Sequence, residues 1–236
     1  MAVKQKWILG ALALYDNYPF LLLDAWGSNV HKYITDYTRE PVDDQTGLPV
    51  CYTCTMTSVG STSTVSINDA QGGWLRIAAG SADNDGGNVQ LKGEMFKLTA
   101  GDPLYFSCRV KLDEATQSDF LIGLVTTNTD LSAPIDGVYF AKADGSAALS
   151  FYTEKDDSAT STAAATMAAA TEYVLSFVWD GIDTVNGYVN TVLVAAHKLT
   201  LPDDEELTVS MYYLNGAAQS SKGLDVDYVR VIQFKN

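Results

Sequence analysis

The chain of 236 residues carries 15 Lys and Arg against 29 Asp and Glu, a formal charge of −14. Such a surface repels phosphate backbones and anionic lipid, which excludes nucleic acid and membrane as partners. With 47% apolar residues, the composition is globular, and a chain of this length can bury about 70% of its unfolded surface without a disulfide or metal.

The first segment reads unlike the rest. Lys4 and Lys6 precede the apolar run Trp7 to Leu14 in the manner of a secretory signal, but the run sits at the short limit for one. Apolar residues return at Phe20 to Leu23, as in a segment that packs on something, and no run approaches the roughly 18 apolar residues of a membrane helix. Aromatics cluster here (Trp7, Tyr15, Tyr18, Phe20, Trp26, Tyr33, Tyr37), alternation is weak, and Pro19, Pro41 and Pro49 interrupt it. Residues 1–58 are therefore read as an extended N-terminal arm. Its contact with an assembly is assigned to Trp7, Tyr15, Phe20, Leu22 and Trp26, because such apolar side chains need a partner surface. The competing reading is that Ile8 to Leu14 supplies an edge strand to the domain that follows.

Three cysteines, Cys51, Cys54 and Cys108, cannot all pair within one chain, and their low density points to synthesis in a reducing cytoplasm. Cys51 and Cys54 have metal-knuckle spacing but no second pair, and His31 and His197 lie far off in sequence. They read as small strand residues. Asp83-Asn-Asp-Gly-Gly-Asn88 offers oxygen ligands that calcium could use, but it departs from the EF-hand order and reads as a turn.

From about Gly72 onward the pattern has period two. In Leu104 to Leu112, residues Leu104, Phe106, Cys108, Val110 and Leu112 face one way and Tyr105, Ser107, Arg109 and Lys111 the other, as in a half-buried antiparallel strand. Similar strands are predicted at Trp74 to Ala78, Phe120 to Thr126, Val138 to Ala141, Ala148 to Thr153, Tyr173 to Trp179, Leu207 to Leu214 and Leu224 to Phe234. Asp144-Gly145 and Asn186-Gly187 are read as two-residue hairpin turns, with further breaks at Asp180-Gly181 and Asn215-Gly216. The Ser/Thr/Ala tract Ser158 to Thr171 is read as an exposed loop. Trp74 and Trp179 are read as core residues. The fold class is all-β: a two-sheet antiparallel jelly-roll sandwich over residues 59–236, with the arm before it.

No chemistry stands out. The nearest approach to a paired-carboxylate strand is Glu154-Lys-Asp156, where Ser158 and Ala159 occupy the places a second glutamate would need. No Gly-x-Ser-x-Gly elbow and no phosphate-cradling Gly-rich loop occurs. The chain is expected not to be an enzyme and to hold no cofactor or metal.

Two segments carry a family resemblance. Leu224-Asp-Val-Asp-Tyr-Val-Arg-Val-Ile-Gln-Phe234 resembles the closing strand of concanavalin-like jelly rolls, including laminarinase-type glycoside hydrolases. Phe177 to Gly181 followed by Gly187 to Asn190 resembles paired strands of laminin-G-like modules. Adding Gly73 to Ile77, Glu94 to Leu98, Leu104 to Leu112 and Gln117 to Leu124, the chain from Gly72 to Asn236 resembles virion proteins of tailed bacteriophages that decorate the capsid. That resemblance implies a cement role on the capsid surface, the major capsid protein as partner and a homotrimer, and it transfers no catalytic residue. The alternatives are a carbohydrate-binding module of a phage fibre and a glycan hydrolase of unfamiliar type.

Overall fold

The computed structural model describes residues 4–15, 22–43, 47–68, 72–219 and 222–236. Along them run β1 (Lys4–Ile8), β2 (Ala11–Tyr15), β3 (Leu22–Trp26), β4 (Val30–Thr35), β5 (Tyr52–Thr57), β6 (Thr64–Asn68), β7 (Trp74–Ala78), β8 (Gly86–Leu91) and β9 (Leu104–Leu112). The second half contributes β10 (Ser118–Val125), β11 (Gly137–Lys142), β12 (Ala148–Lys155), β13 (Ser158–Thr166), β14 (Glu172–Trp179), β15 (Val185–Val189), β16 (Val192–His197), β17 (Thr208–Asn215) and β18 (Gly223–Phe234). Among the described residues there is no helix, and so none long and apolar enough to cross a membrane.

Two antiparallel sheets form the sandwich. One has seven strands in the order β13-β12-β11-β10-β17-β8-β5. The other runs β16-β15-β14-β9-β18-β7-β6, with β4 also pairing β18. Period-two alternation turns one apolar row from each strand into the space between the sheets. Phe106 faces Phe177 across β9 and β14 with rings stacked at 4.7 Å, and Phe140 faces Phe151 across β11 and β12 at 4.9 Å. Phe151 then meets Phe177 at 6.1 Å and joins the two layers. All four rings are fully buried, each stabilising the fold by roughly 1.5–3 kcal/mol.

The closing strand β18 follows the alternation only with a correction built in. Leu224 and Val226 are core residues before Asp227, and Val229 and Val231 after it. The pairing with β9 skips Asp227, because Val226 partners Val110 and Tyr228 partners the next residue, Arg109. This bulge changes the parity of the strand. Ile232 and Phe234 consequently face outward, where they join Tyr105 in a second cluster with Ala11, Ala13 and Ala25. The three-stranded sheet β1-β2-β3 thus packs its small alanine face on the outside of the β9-β18 sheet.

Several sequence expectations need correction. The sandwich takes in residues read as arm, because β4 pairs Val229 to Phe234 of β18 while β5 borders the seven-stranded sheet. The cause is the length of β18, whose partner β7 pairs only Gly223 to Val226 on that side and leaves the rest of the edge to be satisfied. Tyr33, Tyr37 and Tyr52 close that end of the core, with Tyr33 and Tyr52 hydroxyls 2.7 Å apart. The run Ile8 to Leu14 forms a hairpin in its own sheet, turning at Leu9 and Gly10, which both have positive φ. Ser158 to Thr166 is a strand, not a loop. Its hairpin turns on Asp156-Asp157, where both residues adopt the positive φ usually left to glycine or asparagine. Asn186-Gly187 lies inside β15, and the turn falls on Asn190-Thr191 instead. Gly187 is small for a packing reason, since a Cβ there would meet the Phe151 ring at 2.9 Å.

Asp83 to Asn88 is a turn running into β8, and Asp85 has a structural task. Its buried carboxylate accepts hydrogen bonds from the backbone N–H groups of Val59, Gly60, Ser61 and Ala82, which hold it below the usual carboxylate range. Cys54 packs against the core from β5, with Cys51 just before that strand, and Cys108 is buried on β9.

Candidate functional site

The residues that alternate away from the core on the seven-stranded sheet build a groove. Each of three aromatic doublets sends one ring inward and one outward: Phe140 and Tyr139, Phe151 and Tyr152, Tyr213 and Tyr212. Tyr139 and Tyr152 are register partners and stack at 5.0 Å with 10° between planes. Beside them the same face presents Thr55 and Thr57 of β5, Asn88 of β8 and Asp119 of β10.

The connection from Thr126 to Asp136 folds back over this face instead of projecting into solvent. Leu131 drives it, buried against Leu121, Val125, Tyr139 and Tyr212. Sheet amides then fix its backbone. Asn88 donates to the carbonyls of Asn128 (3.1 Å) and Thr129 (3.0 Å), Gln90 donates to that of Thr126, and Gln90 Oε1 accepts from Asn128 N–H. The loop divides the face into two depressions. The larger, about 450 Å³, is lined by Thr55, Asn88, Asp119, Asp130 and Tyr212 among others. The smaller, about 190 Å³, lies between Pro134, Tyr139, Lys142 and Tyr152. Asp119, Ser132 and Tyr212 border both.

The charged groups here are set by burial. Asp119 is held above the ordinary carboxylate range by desolvation, although it accepts a hydrogen bond from Asp144 N–H at 3.0 Å. Lys142 is pushed down to about 8, again by burial, with its ammonium turned to the Ser118 carbonyl. Glu154 lies at the far end of the face, raised by burial, and accepts the Tyr139 hydroxyl proton in a hydrogen bond. The Glu154-Lys-Asp156 string does not place two acids on one surface, because Asp156 lies in the turn at positive φ. Asp119 and Glu154 sit at opposite ends of β11, since Phe120 pairs with Lys142 and Gly137 with Glu154. At ~3.3 Å per residue they are on the order of 20 Å apart, against the ~5–9.5 Å that glycoside hydrolysis uses.

The outer face of the other sheet is filled differently. Arg76 bridges Asp113 and Asp225, Lys111 reaches Asp225 at 3.2 Å, and Arg109 pairs with Glu172 and Asp227. Trp74 belongs to this face, not the core, lying under Lys111 (5.0 Å) and Arg109 (5.9 Å). Trp179 is a core residue as expected and donates its indole N–H to the Thr99 carbonyl at 3.1 Å.

Of the residues assigned to assembly contact, the structure brings two together. Trp7 pairs with Leu12, and Leu12 with Trp26, so these three form one row across the small sheet, with Trp7 70% and Trp26 50% exposed. Lys32 lies 5.4 Å over the Trp26 ring and pairs with Asp24. Tyr15 shares the strand parity of Ala11 and Ala13, on the opposite face of the sheet. Phe20 lies outside the described residues, as does the side chain of Leu22. The groove tyrosines and Asp119 were not singled out from sequence. The signal available was the three aromatic doublets, each with one ring too many for a single face.

No protein-family model and no curated protein matches the chain. Solved structures match it in fold. An endo-1,3-beta-glucanase from Streptomyces sioyaensis superposes with TM-score 0.65 at 13% identity over 90% of this chain and 99% of that one. The CBM2 module of the evolved Dit of Lactobacillus casei BL23 phage J-1 gives 0.57 at 10% identity over 88% and 97%. The carbohydrate recognition domain of Emp46p in its potassium-bound form gives 0.56 at 12% identity over 81% and 93%. The fold is thus the concanavalin-like jelly roll implied by the closing strand.

Proposed function

We propose that this chain is a non-catalytic structural protein of a tailed-phage particle, whose sandwich binds a glycan of the host surface along the groove of the seven-stranded sheet. The observation that carries the reading is the groove itself. Tyr152 supplies a half-buried ring surface and the buried Tyr139 and Tyr212 line the walls, while Asp119 and the exposed Ser132 supply hydrogen-bonding groups around two joined depressions. Apolar ring faces edged by polar groups suit sugar rings, which are themselves apolar on one face and hydroxylated at the rim. Carbohydrate-binding domains among the structural neighbours, one of them from a phage, support this use of the fold. The lack of a paired-carboxylate strand motif in the sequence supports binding without hydrolysis.

A second reading, compatible with the first, is decoration of a capsid, with the major capsid protein as partner and the particle surface as location. The row Trp7, Leu12 and Trp26 favours it, because this exposed apolar row lies on the side of the sandwich away from the groove. A chain held there would present its groove outward.

The test is a glycan array of bacterial surface polysaccharides probed with the purified protein, followed by reducing-end assays on every glycan bound. The reading requires saturable binding to at least one glycan with no release of reducing ends above a heat-inactivated control. Release of reducing ends would make the chain a hydrolase. Absence of binding across the array would leave only the decoration reading.

A further inference from the structure

One flank of the sandwich is built from two strand edges that lack the usual protection. Among the described residues, β13 ends the seven-stranded sheet and pairs only with β12, while β16 ends the other sheet and pairs only with β15. The two edges lie side by side, joined by the hydrogen bond between Thr162 and His197 Nε2 at 2.9 Å. Natural edge strands are normally short, charged or interrupted by proline, so that another chain cannot add to them. β1, at the edge of the small sheet, follows that rule with Lys4 and Lys6. β13 does not. None of its nine residues, and none of the six in β16, is Asp, Glu, Lys, Arg or Pro. Beside the edge, Val192, Leu193 and Leu199 are 64%, 54% and 68% exposed.

We propose that this flank is an interface for a second copy of the same chain, formed by antiparallel pairing of β13 with β13 about a two-fold axis. The charge of the molecule argues for a second copy. At −14, two copies repel over most of their surfaces, and an uncharged edge flanked by aliphatic side chains removes that repulsion where they meet. The sequence is also self-complementary in the sense an isologous contact needs. From Ser158 to Ala163 it contains only Ser, Ala and Thr, so an antiparallel partner brings small side chains against small ones in any register. The register with β12 jumps from Ala165 to Ala163, so Ala164 is a bulge and ends the flat portion. The exposed backbone N–H and C=O groups of that portion supply the bonds, and Leu199 of each copy, beside Thr200 whose hydroxyl donates to that of Thr160, supplies apolar contact at its border. Two-fold pairing closes at two copies, which distinguishes this interface from the homotrimer implied by the phage-protein resemblance.

The test is sedimentation equilibrium of the full chain over roughly 1–100 μM, the range in which a modest interface populates both states. Wild type is expected to approach the dimer mass. Ser161→Glu and, separately, Ala163→Glu place like charges at exposed positions of the flat edge, and each weakens association at least tenfold. Circular dichroism of both variants checks that the sheet signal is kept. Thr53→Glu, on the exposed side of the opposite edge strand β5, leaves association unchanged. A wild-type monomer or trimer across the range, or folded Ser161→Glu and Ala163→Glu that associate as wild type does, overturns the proposal.

Discussion

The outer faces of the two large sheets share one core and have opposite uses of their surface. On the β9-β18 face, charges neutralise one another in place: Asp225 lies between Arg76 and Lys111, Arg109 reaches Asp227 and Glu172, and the three-stranded sheet covers Ile232 and Phe234. On the seven-stranded face, aromatic rings and hydrogen-bonding groups surround open volume, and the loop over them leaves two depressions. A β-sandwich thus fixes which side chains leave the core, but what the released side chains meet decides whether a face is a support or a site.

The largest effect is expected where both faces depend on one residue. Phe151 touches Phe140 in its own sheet and Phe177 in the other, so Phe151→Ala is expected to cost about 3–5 kcal/mol, read by urea denaturation. Ligand binding by the fraction still folded is then unchanged, because the ring does not enter the groove. Loss of binding by folded Phe151→Ala would break the separation between core and face.

Leu131→Ala acts on the groove alone. The side chain is buried under the loop against Tyr139 and Tyr212, and its truncation is expected to cost about 2 kcal/mol and to raise amide exchange of residues 127–134 more than that of β18. Equal increases in both regions would mean the loop is not a separate unit of the face.

These two residues also mark what the sequence discloses. Phe151 is legible, because alternation along Ala148 to Thr153 assigns it to one row with Leu149. Leu131 is not, since one leucine in a polar connection has no period, and its role depends on where Asn88 and Gln90 stand forty residues earlier. The same reason hid Asp119: alternation places it outward, but nothing local says that Tyr212 and Asp130 will gather around it. Asn186-Gly187 failed in the opposite direction, because turn chemistry was visible while the Phe151 ring that requires the glycine belongs to the other sheet. The strand β13 was missed because its turn, Asp156-Asp157, lacks glycine. Period and turn signals are local, whereas the groove is made by contacts across the sheet.

A smaller effect sharpens the electrostatic contrast. Burial pushes the Lys142 ammonium down to about 8, below the ~10.4 of an unfolded lysine. Between these values the unfolded chain holds the proton more than the folded one, so this group makes stability rise with pH across that window. Lys142→Met removes the burial penalty. Its stability relative to wild type is expected to be highest at pH 7 and to shrink by pH 10, read from urea midpoints at both. A difference that grows with pH would reverse the assignment.

The smallest effect on stability falls on the small sheet. Trp7→Ala and Trp26→Ala alter exposed side chains and are expected to move stability by within about 0.5 kcal/mol, while removing the row assigned to particle contact. Co-sedimentation with capsids lacking the native protein is expected to fall for both. Full binding by the double variant would remove this row from any assembly role.

The central claim is that one outer face binds and the other supports, and calorimetric titration of a glycan identified on the array tests it with a pair of variants. Tyr212→Ala, in the wall shared by both depressions, is expected to weaken binding at least tenfold. Arg109→Ala, among the ion pairs of the opposite face, is expected to leave affinity unchanged. Binding that survives Tyr212→Ala, or that falls with Arg109→Ala in protein that remains folded, would contradict the account.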